Sequence, residues 1–359
     1  MDAHRLRSAR RSASRQRGIS LIELMVGVVI GLIAILVIYQ TFAVAEGVKR
    51  QTISAGDAQR TGLVAMYLLG SELGNAGSGI MLNQDDLATC TDTKDVATTL
   101  RPFSVIVTPG ADDDTPDSFV VNYSTARSVV TPSVFMSKTD AGGTTYTVQS
   151  PTGFKAGDMV VGITGDGRCE RKTITAVSAP DANGNVVLTH AGSTYEYLPT
   201  MRLINIGPAT STQRVRYDVA SGVLRSTDLV TAGAVAQPLS SSIMNMKLQY
   251  GIDTDGDGNV DTWTAPTGDY APDKVMAYTG AELRRIKAVR IGMVVRSDEY
   301  DRNAPTHAWT LFECTTQEKV DYTCPDPIKG TLPANYKYRA YETIVPLRNP
   351  MWNLSLIHI

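Results

Sequence analysis

The sequence predicts an α+β protein in which one long N-terminal helix precedes a β-rich globular head. Two observations support this fold class: an apolar run at residues 19–44, and a series of short β-branched and aromatic segments from Arg101 onward. About 20 apolar residues are enough for a helix to cross the hydrocarbon core of a bilayer. The run therefore predicts a transmembrane helix, and the alternating segments predict strands.

Charge is distributed unevenly around the apolar run. The net charge is −2, yet residues 1–18 contain six arginines and one acid. Cytoplasmic flanks of membrane helices are enriched in Lys and Arg, so the head is expected outside the cytoplasm of an inner-membrane protein with a single span. The rest of the chain is acidic, which argues against general nucleic-acid binding.

The apolar run differs from a secretory signal that is removed after its apolar core. No A-x-A-type site follows the run, and the small residue Gly18 precedes it. The pattern favours a basic leader at residues 1–18, cut on its cytoplasmic side between Gly18 and Ile19, and a retained anchor at residues 19–44.

Glu23 is an acid only a few residues into the predicted span. A charge at the centre of a membrane helix costs about 2.5–3.5 kcal/mol on insertion scales, so an acid inside a span indicates a function by default. The alternative is a carboxylate at the membrane interface with no specific role.

The helical pattern continues through residues 45–75 and stops at a glycine-rich stretch, residues 74–79. This amphipathic half is predicted to pack on the head. The apolar residues that recur at helical spacing are Val48, Ala55, Ala58, Leu63, Met66, Leu69 and Leu73.

The head is predicted at residues 76–129 and 198–353, with a small β module inserted at residues 130–197. Turn-forming Asp, Asn and Gly residues separate the predicted strands. The strand segments are RPFSVIVTPG, DSFVVNYST, TTYTVQS, DMVVGIT, RKTITAVS, NVVLTH, MRLINIG, QRVRYDV, GVLRSTDL, MNMKLQYGID and RRIKAVRIGMVVRS, the last of which ends at Ser297.

Four cysteines lie in the part expected outside the cytoplasm: Cys90, Cys169, Cys314 and Cys324. An oxidising compartment favours two disulfides, for which three connectivities exist. The short separation favours Cys314 with Cys324, which leaves Cys90 with Cys169. A metal site is the weaker interpretation, because the sequence has no C-x-x-C motif and few histidines.

The stretch RGISLIELMV, residues 17–26, resembles the class III signal of type IV prepilins and type II secretion pseudopilins. Ile19 stands where Phe is commoner in that motif. Further along, FKAGDMVVGI, GVLRSTDL, MNMKLQYGIDTDGDGNVDTW and IKAVRIGMVVRSDEYDR resemble the PilW family of type IV pilus minor pilins.

This resemblance implies a pilin-like head and a structural, non-catalytic role in the complex that primes pilus assembly near the fibre tip. A prepilin peptidase would cut between Gly18 and Ile19 and methylate the new amino group. Glu23 would then neutralise the Ile19 ammonium of a neighbouring subunit. The implied partners are other minor pilins, the major pilin and a PilY-type tip adhesin.

A second constellation, DTDGDGNVD at residues 253–261, matches the first part of an EF-hand calcium loop. Its oxygen donors would be Asp253, Asp255, Asp257, Asn259 and Asp261. Position 12 of the pattern is Thr264, which has no carboxylate, and the preceding segment favours a strand rather than a helix. The sequence predicts structural calcium here, and the alternative is a solvated turn.

Two further clusters of charged residues give weaker evidence for a binding site. The acidic loop at residues 112–114 lacks ligand spacing, and the basic cluster at residues 284–290 is typical of a solvated face.

No G-x-S-x-G, H-E-x-x-H or Walker motif appears, so nothing indicates an enzyme. Two alternatives stay open: a J-type pseudopilin of type II secretion, and a single-pass anchored adhesin or binding protein stabilised by calcium.

Overall fold

The computed structural model describes residues 18–80, 87–88, 90, 103–125, 133–149, 153–302, 304–315, 317 and 323–347. Residues 1–17 of the predicted leader and the C-terminal LSLIHI lie outside this range. By its contacts the chain divides into two units, Met1–Ile53 and Ser54–Ile359.

The helices of the described residues are α1 (Leu21–Asn75), α2 (Pro272–Ala277) and α3 (Gly280–Leu283), with short 3₁₀ turns at Ala209–Ser211 and Gly268–Tyr270. The end of α1 falls within the predicted glycine-rich stop. Gly77, just beyond it, has φ +78°, a value that favours glycine.

The strands, in chain order, are β1 (Val105–Thr108), β2 (Ser118–Ser124), β3 (Ser133–Val134), β4 (Thr145–Gln149), β5 (Asp158–Ile163), β6 (Cys169–Val177), β7 (Asn185–His190), β8 (Arg202–Pro208), β9 (Thr212–Ala220), β10 (Val223–Asp228), β11 (Gln237–Ser240), β12 (Ile243–Ile252), β13 (Thr262–Thr264), β14 (Ile286–Arg296), β15 (His307–Leu311), β16 (Ile328–Leu332) and β17 (Tyr338–Pro346). The fold class is therefore the predicted one: a long N-terminal apolar helix and a β-rich head.

Two antiparallel sheets share the main core of the head with the second half of α1. Their strand orders are β1-β2-β9-β10-β11 and β13-β12-β14-β17. Leu69 and Leu73 of α1 lie in one buried cluster with Phe119 of β2 and Ile291 of β14. Burying a large apolar side chain contributes about 1.5–3 kcal/mol, so this cluster fixes α1 on the sheets.

Two of the apolar residues of α1 that were predicted to pack on the head are exposed. Val48, in the first unit, is exposed, and Leu63 is 54% exposed. In the second unit the buried positions include Ala58 and Gly62, with Leu69 and Leu73 further along. Gly62 takes the place expected for Leu63 because an aromatic ring, that of Tyr341, occupies the space above it.

A third sheet, in the order β3-β8-β5-β6-β7-β4, contains the strands predicted for the inserted module and also β8, which ends at Pro208. An isolated bridge from Phe135 to Val148 joins the two ends of this order, so the sheet curls into a barrel-like unit. The boundaries of the inserted module at 130 and 197 stay predictions.

The structure contains both disulfides that the sequence favoured, Cys90–Cys169 and Cys314–Cys324. Cys90 and Cys169 lie in a buried apolar cluster with Ile80 and Ile204, on one side of the third sheet. Cys314–Cys324 closes a short loop between β15 and β16.

Candidate functional site

The acidic loop joins β12 to β13 and lies at one end of the four-stranded sheet. It follows directly from Ile252, the last residue of β12, and ends at Asp261, just before β13. Asp253 is buried, whereas the aspartates at 255 and 257 are exposed. Gly256 and Gly258 have φ values of +87° and +94°, so the two turns of the loop need glycine.

Three of the predicted donors converge. One carboxylate oxygen from each of Asp253, Asp255 and Asp261 lies within 4.8 Å of the other two. Asp257 is directed elsewhere: its carboxylate accepts hydrogen bonds from the backbone N–H and the side-chain amide of Asn259, at 2.7 and 2.9 Å. The structure thus brings together part of the predicted set.

Lys287, a member of the basic cluster that was expected on a solvated face, is instead buried and contacts the same group. Lys287 Nζ lies 3.2 Å from Asp253 Oδ2, and both side chains are almost fully buried. The backbone N–H groups of Gly256 and Gly258 donate to the two oxygens of Asp253 at 2.5 and 2.9 Å. Asp253 is therefore neutralised from within the head, whereas Asp255 and Asp261 face outward.

The Cys314–Cys324 loop is attached to the acidic loop through the backbone. Thr323 N donates to Asp261 O at 2.8 Å, and Trp263 N donates to Thr323 O at 3.0 Å. Thr323, the residue next to Cys324, thus bonds to the backbone of the residue before Thr262 and of the residue after it. This is a parallel bridge between Thr262 and Thr323. This pairing covers the free edge of the short strand β13.

The processing segment lies in the first unit. Gly18, Ile19 and Ser20 precede the first turn of α1 and are exposed. A Cβ atom at Gly18 would meet nothing within 4 Å. The peptide bond between Gly18 and Ile19 is therefore in a non-helical, exposed segment.

Glu23 lies in the first turn of α1, where the helix dipole favours an acid. Leu21–Lys49 is long and apolar enough to cross a membrane by length and composition, and its side chains are exposed. Among the residues that the structure describes, none forms an ion pair with Glu23. An exposed carboxylate at the start of an apolar helix is thus open to a charge on another molecule.

The second half of α1 is apolar on two faces. One face is buried in the head, and the other carries Leu63, Val64 and Tyr67, which are 54, 51 and 76% exposed. A helix that is apolar all round is ordinarily buried all round. This outer stripe (Leu63, Val64, Tyr67 and the partly exposed Leu68) therefore predicts a second packing partner.

Comparison with known families agrees with this geometry. Residues 13–39 match the prokaryotic N-terminal methylation motif, and residues 213–349 match the type IV pilus-assembly protein W family, PilW. The first match covers the processing segment and Glu23, and the second covers β10–β17, including the acidic loop. The two matches support the role of a type IV pilus minor pilin, with a PilW domain in the head.

Among solved structures, this chain is similar to a type IV-like pilin from Thermus thermophilus. The two share 10% sequence identity with a TM-score of 0.34, over 81% of this chain and 96% of that one. Comparison with curated proteins finds no match.

Two weaker candidates in the head have structural partners. The loop at residues 112–114 is held by the buried Lys247, whose Nζ donates to the carbonyl oxygens of Asp112 and Thr115 at 2.7 Å and contacts Asp117 Oδ1 at 3.1 Å. In the basic cluster, Arg290 is buried and pairs with Glu342. The side chains of Asp112, Asp113 and Asp114 are nevertheless exposed, as expected of a solvated turn. The basic cluster is divided, because Arg285 is exposed whereas Lys287 and Arg290 are buried and paired inside the head.

The third sheet encloses a polar group that the sequence did not reveal. Glu170 accepts hydrogen bonds from the hydroxyls of Tyr146 and Tyr197 at 3.2 and 3.1 Å. Burial opposes its ionisation, but hydrogen bonds from Thr194 and Lys172 lower the pKa of Glu170. His190 is 3% exposed and its ring lies 3.7 Å from that of Tyr146.

Proposed function

We propose that this minor pilin is a non-catalytic subunit of the complex that primes pilus assembly and then stays near the fibre tip. The observation that carries the proposal is the second apolar face of α1, since a monomer has no use for Leu63, Val64 and Tyr67 in water. Neighbouring pilin subunits would cover this outer stripe, with the apolar span of α1 packed in the fibre core.

The experiment replaces two residues of the outer stripe by polar ones, Val64→Asn and Tyr67→Asn. The free full-length protein should keep its thermal stability, because both side chains are exposed, while its amount in sheared pili should fall strongly. The matched control is Val187→Asn, an exposed apolar residue on β7. Equal incorporation of Val64→Asn, Tyr67→Asn and Val187→Asn into pili would contradict the proposal.

Charge pairing would set the axial register between subunits. Cleavage after Gly18 creates an ammonium group at Ile19, close to the start of the apolar helix. Burying a lone charge is strongly unfavourable, and a carboxylate on a neighbouring helix offsets that cost. Glu23 of one subunit would therefore pair with Ile19 of the next, as the family resemblance implies.

Replacing Glu23 tests this pairing. Glu23→Gln keeps the size and removes the charge, so assembly into pili should be lost or strongly reduced. Glu46→Gln removes a charge further along the same helix and should assemble normally. Normal incorporation of Glu23→Gln would contradict the role assigned to Glu23.

The setting proposed for this mechanism is the inner membrane, with the leader in the cytoplasm and the head outside it. Two observations support this orientation: the methylation motif and the arginine-rich residues before the span. The partners proposed are a prepilin peptidase, the major pilin, other minor pilins and a PilY-type tip adhesin.

A structural calcium ion is proposed for the acidic loop. Asp253, Asp255 and Asp261 fit it as oxygen donors, because their carboxylates converge and hard oxygen ligands are what calcium prefers. Asp257 and Asn259 were also predicted as donors. They would have to give up the hydrogen bonds between them to bind the ion. The ion would neutralise the two outward acids and hold the β12–β13 connection.

The variant that tests calcium is Asp255→Asn rather than a change at Asp253. Removing Asp253 would leave Lys287 buried without its partner, which costs about 3–5 kcal/mol with or without metal. Calcium should raise the melting temperature of the wild-type protein relative to chelator, and Asp255→Asn should abolish that increase. Asp273→Asn, an exposed acid on α2, is the control. A wild-type melting temperature unaffected by calcium would contradict the site.

A further inference from the structure

The strand β17 forms one edge of the four-stranded sheet and is the longest edge of the three larger sheets. It contains nine residues, Tyr338–Pro346, and pairs with β14 on one side only. Unpaired strand edges present a row of backbone donors and acceptors that other chains can join. Proteins therefore shorten or cover such edges unless a partner uses them.

The alternation of the ladder shows which backbone groups face outward. Ser297 N donates to Lys337 O, and Leu347 N donates to Lys287 O, both at 2.8 Å. In an antiparallel pair every second residue bonds to the partner strand. The odd-numbered residues of β17 thus bond to β14, and the N–H and C=O groups of Ala340, Glu342 and Ile344 point away from it.

These outward groups have no hydrogen-bond partner within the described part of the chain. Ala340, Glu342 and Ile344 are all exposed, and Ile344 is 48% exposed. The Glu342 side chain is engaged inside the head with Arg290 and with Phe312 N, so it does not block the edge. Pro346 blunts only the last position of the strand.

The other edges of these sheets are short or covered. Beside β13, Thr323 pairs with the backbone. At β1, Val107 N donates to the hydroxyl of Tyr250 at 2.6 Å. The strand β11 has four residues and contains Pro238. The ends of the third sheet meet through the bridge from Phe135 to Val148.

We infer that β17 is a docking edge for an extended strand of another pilin subunit, which adds to the four-stranded sheet. The inference rests on the proposed function, because β17 adjoins the helix that packs between subunits. Tyr341 of β17 lies against Gly62 of α1, and its hydroxyl donates to Ala58 O at 3.4 Å. The edge is thus continuous with the helix that carries the outer stripe.

The exposed side chains define the chemistry of the added strand. Ile344 requires an apolar neighbour on one face of the joined sheet. Arg339 is exposed on the other face, with no carboxylate partner among the described residues, and favours an acid opposite it. Antiparallel pairing of two β17 strands from identical subunits does not supply that acid. In such a pair the outward, even-numbered residues lie opposite one another, so Arg339 meets an odd-numbered residue and never Glu342. A different pilin is therefore the expected partner.

Cross-linking in piliated cells locates the partner. A photoreactive benzoylphenylalanine in place of Ile344 should form a covalent product with another pilin, mapped to an extended segment. The same group in place of Val187 should form none. Products no more abundant at position 344 than at 187 would overturn the inference.

Two substitutions separate strand addition from ordinary side-chain contact. Ile344→Pro removes an outward N–H together with the Ile side chain, whereas Ile344→Ala removes the side chain alone and keeps the backbone N–H. Ile344→Pro loses one hydrogen bond to the added strand, at an edge that docking buries. Its incorporation into pili should therefore fall about tenfold. The fall should be clearly smaller for Ile344→Ala. Equal effects of the two changes would overturn strand addition, and if Ile344→Pro does not fold the cross-linking result decides.

The outcome also separates this inference from the function on which it rests. Absence of the wild-type chain from sheared pili would overturn both. Presence of the wild-type chain in pili without a cross-link at position 344 would overturn the docking edge alone.

Discussion

At the scale of single residues, the contact between Gly62 and Tyr341 determines how closely α1 lies on the sheet. A Cβ atom at position 62 would lie 2.3 Å from the Tyr341 ring. Glycine costs about 1 kcal/mol inside a helix relative to alanine. The chain accepts that cost at this position because the ring of Tyr341 fills the space and its hydroxyl reaches Ala58 O.

We therefore expect Gly62→Ala to lower the free energy of unfolding by about 1–3 kcal/mol, the usual cost of overpacking. The matched control is Gly56→Ala, where an added Cβ meets nothing within 4 Å. That change should leave stability unchanged or raise it slightly. Denaturant unfolding of the two variants checks the prediction, and equal stabilities would show that Tyr341 moves away freely.

A second single residue, His190, makes the third sheet sensitive to acid. Burial lowers the pKa of His190, and Nε2 has no hydrogen-bond partner within the described residues. Glu170 and Lys172 act on it in opposite directions. Because the unfolded pKa is about 6.5, the stability that neutral His190 supports is complete above that pH and is lost as the pH falls below it.

The melting temperature should therefore fall between pH 7 and pH 5, and His190→Gln should reduce that fall. His307→Gln, a histidine outside the third sheet, is the control and should retain it. Parallel pH profiles for wild type and His190→Gln would contradict the assignment. Protonation of carboxylates such as Glu170 adds a further loss only at lower pH, since the pKa of Glu170 is itself lowered.

At the scale of elements, the acidic loop depends on the Cys314–Cys324 loop as well as on its own sequence. Thr323 bonds to the backbone of Asp261 and Trp263 on either side of Thr262. The paired substitution Cys314→Ser with Cys324→Ser should therefore speed amide hydrogen exchange at Trp263 and Thr323. The control, Cys90→Ser with Cys169→Ser, should leave those amides unchanged. Unchanged exchange in the first variant would show that Thr323 stays docked without the disulfide.

The elements also show what sequence patterns can and cannot predict. The long helix and most strands from β1 to β14 follow from periodicity and turn residues, which are local; the short strands β3, β11 and β13 were not predicted. The strands β15 to β17 were not predicted, although YRAYETIVP is rich in strand-favouring Tyr, Thr, Ile and Val. Leu63 was placed on the wrong face of α1, because the reason that Gly62 is buried lies far along the chain, at Tyr341.

Among the candidate site residues, too, those in a local motif could be predicted from the sequence, and those with distant partners could not. Gly18, Ile19 and Glu23 form a local motif and were identified from sequence alone. Lys247 was not identified, and Lys287 was wrongly expected on a solvated face, because their partners, Asp117 and Asp253, are distant in sequence. The bond from Asn259 N to Asp257 is local, an Asx-type turn between residues two positions apart, whereas the convergence of Asp253, Asp255 and Asp261 depends on how the whole loop folds.

At the scale of the whole molecule, the chain combines an apolar helix, a processing signal and a head that packs on the second half of that helix. Each part has exposed groups that a lone molecule leaves unused: Glu23, the outer stripe of α1 and the edge of β17. Assembly with other pilins gives all three a partner. The central claim is therefore that the mature subunit is incorporated in the pilus through α1.

Mass spectrometry of the chain recovered from sheared pili tests that claim most directly. We expect a mature N-terminus at Ile19 with a methylated amino group, and none of residues 1–18. A chain that begins at Met1, or one that is cut beyond Val44 and is absent from the pili, would contradict it.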